Sequence, residues 1–205
     1  MEFYQVISGR RTCRAFLPKQ VEADVLERIL SAGLSAPSND HLRQWEFVVL
    51  RQQEEKENAL QFVKNFVENH PANPAVTEGN SPRKKMYDYA MPRQYSMLMD
   101  SDCVILPFFK AAPGVLHPQA VNSLNSFAAV WCCIENILLA ATAEGLGCSL
   151  RIPVGEEGAN VARLMGAPKD YLLPCYLGIG YPAPEEEKLE QVEPQVAERI
   201  HFGRW

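Results

Sequence analysis

SFAAVWCCIENILLAATAEGLG, from Ser126 to Gly147, is the most apolar stretch of the chain. Phe127 to Ile134 carry no charge, and Ile137 to Ala141 continue the run. The length and composition read as a helix buried on nearly all sides. A membrane span is the competing reading, but Glu135, Asn136 and Glu144 interrupt it and no basic flank marks its ends. Gly145 and Gly147 close the helix, as glycine does at a C-terminus. One chain of 205 residues seldom surrounds a helix so completely, so a homodimer is expected to supply the missing cover.

On the N-terminal side, Val21 to Leu34 has apolar residues at helical spacing (Val21, Val25, Ile29) with Glu22, Asp24, Glu27 and Arg28 opposite. Phe47 to Leu50 is a short strand-forming run, and Glu54 to Glu68 returns to helical spacing. His70 to Arg83 and Ala111 to Asn125 carry prolines and glycines and read as loops. Loops this long in a compact domain often serve as lids or binding loops. Cys103 to Phe109 (CVILPFF) reads as a buried strand, with Phe108 and Phe109 as core. Asn160 to Met165 is a short helix, and Tyr171 to Gly180 a final strand. The tail from Pro182 to Trp205 ends in Ile200, Phe202 and Trp205, apolar residues suited to docking. Helices and strands mix without strict alternation, so the expected class is α+β, in a single domain over residues 1–205.

The formal net charge is -5, which argues against a non-specific nucleic-acid binder. Met1 leads into Glu2 and Phe3 with no basic-then-apolar leader, so a cytoplasmic protein is expected. The cysteines at 13, 103, 132, 133, 148 and 175 form no C-x-x-C pair and read as reduced thiols. The four histidines lack zinc-ligand spacing, and no metal is expected. There is no Walker loop, no complete dinucleotide fingerprint and no G-x-S-x-G elbow.

Two segments could carry chemistry. Gly9-Arg10-Arg11-Thr12-Cys13-Arg14 sets three arginines and a hydroxyl close together in an acidic chain. Forked, permanently charged guanidinium groups suit a phosphate or a carboxylate. A solvated cluster paired with glutamates is the plainer alternative. The second segment, Ala36 to Trp45, gathers side-chain donors behind a stiffening proline, though an ordinary helix-to-strand loop looks the same. A Cys13 thiolate favoured by the arginines is a third, weaker possibility without a histidine next to it.

In order, these segments resemble the FMN-dependent nitroreductase family. Its R-R-S-x-R-x-F/Y opening is similar to Arg10-Arg11-Thr12-Cys13-Arg14-Ala15-Phe16, and its A-P-S-x-x-N-x-Q-P-W-x-F-V-V segment to Ala36 through Val49. The long helix ending in G-L-G is similar to Asn136 through Gly147, and the closing G-Y-P turn to Gly180-Tyr181-Pro182. The resemblance implies a central, mostly antiparallel sheet between helices and an intertwined homodimer with FMN at the interface. It assigns Arg10, Arg11 and Thr12 to the FMN phosphate and ribityl chain, and Arg14 to the pyrimidine edge. Pro37, Ser38 and Asn39 would cover the flavin of the second subunit. Backbone groups of Leu150, Arg151 and Ile152 would approach the N5 edge, where Pro153 lacks an N–H. Two departures stand out. His41 occupies the place of the family asparagine, and for the phosphate cation the tail offers Lys188 among acidic neighbours, with Arg199 and Arg204 as weaker alternatives.

The activity so implied is hydride transfer from NADH or NADPH through the flavin to a small acceptor such as a nitroaromatic or quinone. No side chain is expected to act as the catalytic acid or base. A flavin store or redox sensor, a phosphate-binding module without flavin, and a different flavin reaction on the same scaffold remain as alternatives.

Overall fold

The computed structural model describes residues 2–70, 81–184, 189, 191 and 194–205. In chain order the elements are α1 (Phe3–Gly9), α2 (Ala23–Leu34), β1 (Trp45–Leu50), α3 (Gln53–Asn69), α4 (Pro82–Ala90), α5 (Ser96–Met99) and β2 (Cys103–Lys110). There follow α6 (Asn125–Ala143), β3 (Gly147–Arg151), α7 (Glu157–Leu164), β4 (Tyr171–Leu172) and β5 (Tyr176–Gly180).

All strand pairs are antiparallel, in the order β1-β2-β5-β3, with β4 against the end of β2. The sheet runs between two helical layers, as the resemblance implied. β2 is central, and its side chains divide between two cores with the two-residue period of a strand. Cys103, Ile105 and Phe109 join the core under α2 and α6, with Ile29, Ile137 and Leu177. Val104, Leu106 and Phe108 join the core under α3, α5 and α7, with Leu60, Val63 and Tyr176. A strand buried on both faces reads as the continuous apolar run seen in the sequence. Pro107 fits because it lies between the β5 ladder at Cys103–Ile105 and the β4 ladder at Phe109–Lys110.

Four segments differ from the expectation. The final strand is divided, since residues 173–175, with Pro174 in the middle, separate β4 from β5. The loop expected over 70–83 ends by Pro82, which opens α4 at a first helical position suited to proline, behind a Ser81 cap. Residues 71–80 lie outside the described residues. α6 is not buried all round. Val130, Cys133, Ile134, Ile137, Leu138 and Ala141 are buried, while Phe127, Ala128, Cys132 and Glu135 are exposed. Among the described residues no second layer covers the outer stripe, and the inner face packs as a core helix although Val121–Ala143 is apolar and long enough to cross a bilayer. The apolar tail is likewise exposed, Phe202 and Trp205 almost fully.

Gly33 lets α2 and α6 approach closely. A Cβ there would stand 2.7 Å from Ile137 Cγ1 and 3.2 Å from Cys133 Sγ. Gly33→Ala should therefore destabilise the fold by about 1–3 kcal/mol through overpacking. A denaturant midpoint equal to that of the parent would show that the two helices can part at no cost.

All six cysteines are free, and only Cys132 is exposed. Burial pushes the thiols of Cys103, Cys133 and Cys148 from an ordinary 9.0 up to about 12, and raises that of Cys175 too. In the unfolded chain these thiols ionise near 9.0, so the stability that depends on their protonation is intact below that pH and is lost as pH rises toward 12. The thermal midpoint should fall steadily between pH 9 and pH 11. A flat profile there would mean that the thiols reach water in the native state.

Candidate functional site

Arg10 stands at the C-terminus of α1, its backbone N–H donating to Val6 O at 2.9 Å. The chain then extends along the outer edge of β3. Thr12 bridges Cys148, Cys13 N donates to Cys148 O at 2.7 Å, and Leu17 N donates to Tyr181 O at 2.8 Å. Gly147 makes this approach possible, because a Cβ there would lie 2.7 Å from both Cys13 Cβ and Sγ. Extended backbone alternates its side chains, so Cys13 turns into the core while its neighbours turn outward.

Arg10, Arg11, Thr12 and Arg14 line one cleft of about 500 Å³, closed by Met86, Gln191 and neighbouring residues. That volume is in the range of small-molecule and cofactor sites. No aspartate or glutamate is among its described lining residues. Arg10 Nε lies 3.5 Å from Glu135 Oε1, a partly exposed pair. Arg11 donates to the Leu189 carbonyl, so the tail meets the cleft. Arg14 donates to Thr12 O at 3.5 Å, and its Cζ lies 5.8 Å from the Tyr89 ring centroid. Arg93 stacks closer on the same ring, at 3.9 Å. Tyr89 thus serves these guanidinium groups, and Phe108 and Phe109 are core. Glu135 pairs with Arg10, and the donor set lining the cleft fits a phosphate-bearing ligand.

The second segment does not reach this cleft within one chain. Pro37, Ser38 and Asn39 border a shallow groove with Asn125, Ala128 and Ala129 on the exposed side of α6. His41 is exposed. Asp40, His41 and Arg43 have φ of 51°, 54° and 43°, a left-handed conformation that costs non-glycine residues about 1–3 kcal/mol each. Ser38 Oγ accepts from Arg43 N at 3.0 Å, and Arg43 O accepts from Trp45 N at 2.8 Å, which hold the shape. The strain distinguishes this segment from an ordinary loop, a distinction the sequence did not make.

Leu150 is half-buried, Ile152 is 57% exposed, and neither lines the arginine cleft. The Arg151 side chain turns into the core beneath α7. It pairs with buried Glu157 and donates through Nε to Gln94 Oε1 at 2.9 Å. Tyr176 stands beside them, its hydroxyl pKa raised by burial and by the Glu157 charge. Glu157, Tyr176 and Gln94 gave no signal in the sequence, because their partners are distant or of common type. Lys188 lies outside the described residues. No cluster of three or more candidate metal-binding side chains occurs among the described residues.

Residues 7–181 match the sequence model of the Nitroreductase family. The chain belongs to that family. A relative from Archaeoglobus fulgidus, provisionally named an NADH dehydrogenase/NAD(P)H nitroreductase, is 27% identical over 207 residues, covering 100% of this chain and 99% of that one. Iodotyrosine deiodinase 1 of Rattus norvegicus is 26% identical over 185 residues, covering 89% of this nitroreductase-family chain and 62% of its own. A crystal structure of oxidised iodotyrosine deiodinase bound to FMN and 3-iodo-L-tyrosine superposes with a TM-score of 0.72 at 19% identity, over 100% of both chains. At that identity the likeness establishes the nitroreductase fold.

Proposed function

We propose that this chain is an FMN-dependent oxidoreductase that takes a hydride from NADH or NADPH and passes it to a small acceptor, such as a nitroaromatic or a quinone. The observation that carries the reading is the convergence of Arg10, Arg11, Thr12 and Arg14 on one cleft, with no carboxylate among its described lining residues, in a nitroreductase fold. FMN, when bound, supplies the two-electron redox chemistry. The chain supplies charge, orientation and shelter. Arg10 and Arg11 hold the phosphate through charge-assisted hydrogen bonds, and Thr12 adds a hydroxyl. Arg14 offers a cation to the pyrimidine edge, where reduction places negative charge, and so favours the reduced state. Leu150, Arg151 and Ile152, at the end of β3 and outside the arginine cleft, would offer backbone groups to the N5 edge of a flavin ring that extends beyond it. Orientation of donor and acceptor supplies most of the rate, with no side chain as acid or base.

The working unit is a homodimer of single-domain chains, each spanning residues 1–205. The exposed stripe of α6 and the uncovered Phe3, Tyr4, Phe202 and Trp205 give it apolar surface to bury. In that dimer Pro37, Ser38, Asn39 and His41 of one protomer cover the flavin of the other. We place the enzyme in the cytoplasm, in keeping with its six free thiols.

The test is anaerobic addition of NADPH, then NADH, to the FMN-loaded protein. Bleaching of the flavin bands by either nucleotide is the expected result, and bands that persist with both would leave a flavin store or sensor. The similarity to iodotyrosine deiodinase favours a second reading, a reductive dehalogenation at the same site. Comparing halogenated phenols with nitroaromatics and quinones as acceptors separates the two.

A further inference from the structure

Arg151 ends β3 and Glu157 begins α7, and both side chains are buried. Between them residues 152–156 form a turn on which Ile152 and Val154 are exposed. A turn that carries apolar side chains into solvent is thus pinned at each end by a buried charge.

The pair acts on the turn directly. Arg151 Nη1 donates to Glu157 Oε1 and also to the Ile152 carbonyl, the latter at 3.4 Å. Glu157 N donates to Val154 O at 3.1 Å, and Gly155, with φ of 54°, lets the chain turn back into α7. The guanidinium is itself held in place. Its Nε donates to Gln94 Oε1 at 2.9 Å, and its Cζ lies 5.4 Å from the Phe66 ring centroid. The Tyr176 ring, 5.8 Å away, stands opposite Arg151 in the β3–β5 ladder.

Stability does not account for the pair, because well-packed apolar residues of similar volume commonly serve a core as well or better. Arg151 Nη2 and Glu157 Oε2 also have no hydrogen-bond partner among the described residues, which adds to the penalty of burying them. What apolar residues cannot supply is direction. A forked cation between fixed acceptors sets the position of the backbone it holds.

We propose that Arg151 and Glu157 are positioning residues, a clasp that holds the turn after β3 in place for the flavin ring. The inference rests on the flavin reading above, in which Leu150, Arg151 and Ile152 offer backbone groups to the N5 edge. Both side chains act through that backbone, and hydride transfer is sensitive to small errors of placement.

The experiment compares the FMN-loaded, full-length protein with Arg151→Met/Glu157→Leu, which fills the core without the clasp. Amide hydrogen exchange is the first readout. The amides of residues 157 and 160, bonded to Val154 O and Glu156 O, should exchange at least tenfold faster relative to the β5 amides. The second is anaerobic flavin reduction by whichever of NADH and NADPH bleaches the parent. Its limiting rate should fall at least tenfold, with the half-saturating nucleotide concentration and FMN retention unchanged. A purely structural role would lower the melting temperature and leave the limiting rate of the folded protein intact. Glu157→Asp, which keeps the charge one methylene short, should show smaller losses on both readouts and carries the test if the double variant melts early. Parent-like exchange at 157 and 160, or a parent-like limiting rate, would overturn the proposal alone. A parent that retains no FMN, or that neither nucleotide bleaches, would overturn the flavin or the reductase reading and this role with it.

Discussion

Glu157→Gln will lower the unfolding free energy by about 3–5 kcal/mol, the largest stability effect expected of any single substitution here. Arg151 and Glu157 are both almost fully buried, with side-chain exposures of 2% and 4%. Each charge has been taken out of water, and each is tolerated because the other is there. Neutralising Glu157 leaves a permanently charged guanidinium in the core beneath α7, with Gln94 and the Ile152 carbonyl as its other partners. For a chain of this length the thermal midpoint should fall by roughly 6–20 °C. Removing both charges is a different matter, since a buried pair often gains little over well-packed apolar residues. Arg151→Met combined with Glu157→Leu should therefore recover most of the loss. A single-variant loss below about 1 kcal/mol would show that water reaches the pair.

Arg10→Ala combined with Arg11→Ala will weaken FMN binding by at least about 100-fold. A hydrogen bond to a charged group is worth about 1.5–3 kcal/mol, and every 1.4 kcal/mol is tenfold in affinity. Two such contacts to one phosphate give that factor even when they overlap. The side chains lie at the cleft and outside both cores, so the fold should survive their loss. Riboflavin lacks the phosphate and supplies the control. Its binding should be weak in the parent and little changed in the double variant. Equal loss for FMN and riboflavin would move the arginines away from the phosphate, and no loss for either would remove them from the site.

The parts of this architecture visible in the sequence are those with local causes. β2 announced itself through a continuous apolar run, and α2 and α3 through helical spacing. The arginine cluster stood out because five adjacent positions carry it, and the structure brings those residues to one cleft. What was hidden depends on distant partners. Arg151 looked like any residue after a glycine-closed helix, and its pairing with Glu157 required the turn between β3 and α7 to be formed. The left-handed backbone at Asp40, His41 and Arg43 contradicts residue preference, so no propensity argument reaches it. α6 exposes a stripe in the single chain, and composition alone could not tell which of its faces would be buried.

The central claim is that the Arg10–Arg14 cleft holds FMN. The most direct measurement is the visible absorption spectrum of the purified protein after FMN is added and the excess removed by desalting. The account predicts flavin bands retained at close to one FMN per chain. A colourless protein after that treatment would contradict it, and the three arginines would then belong to another anion.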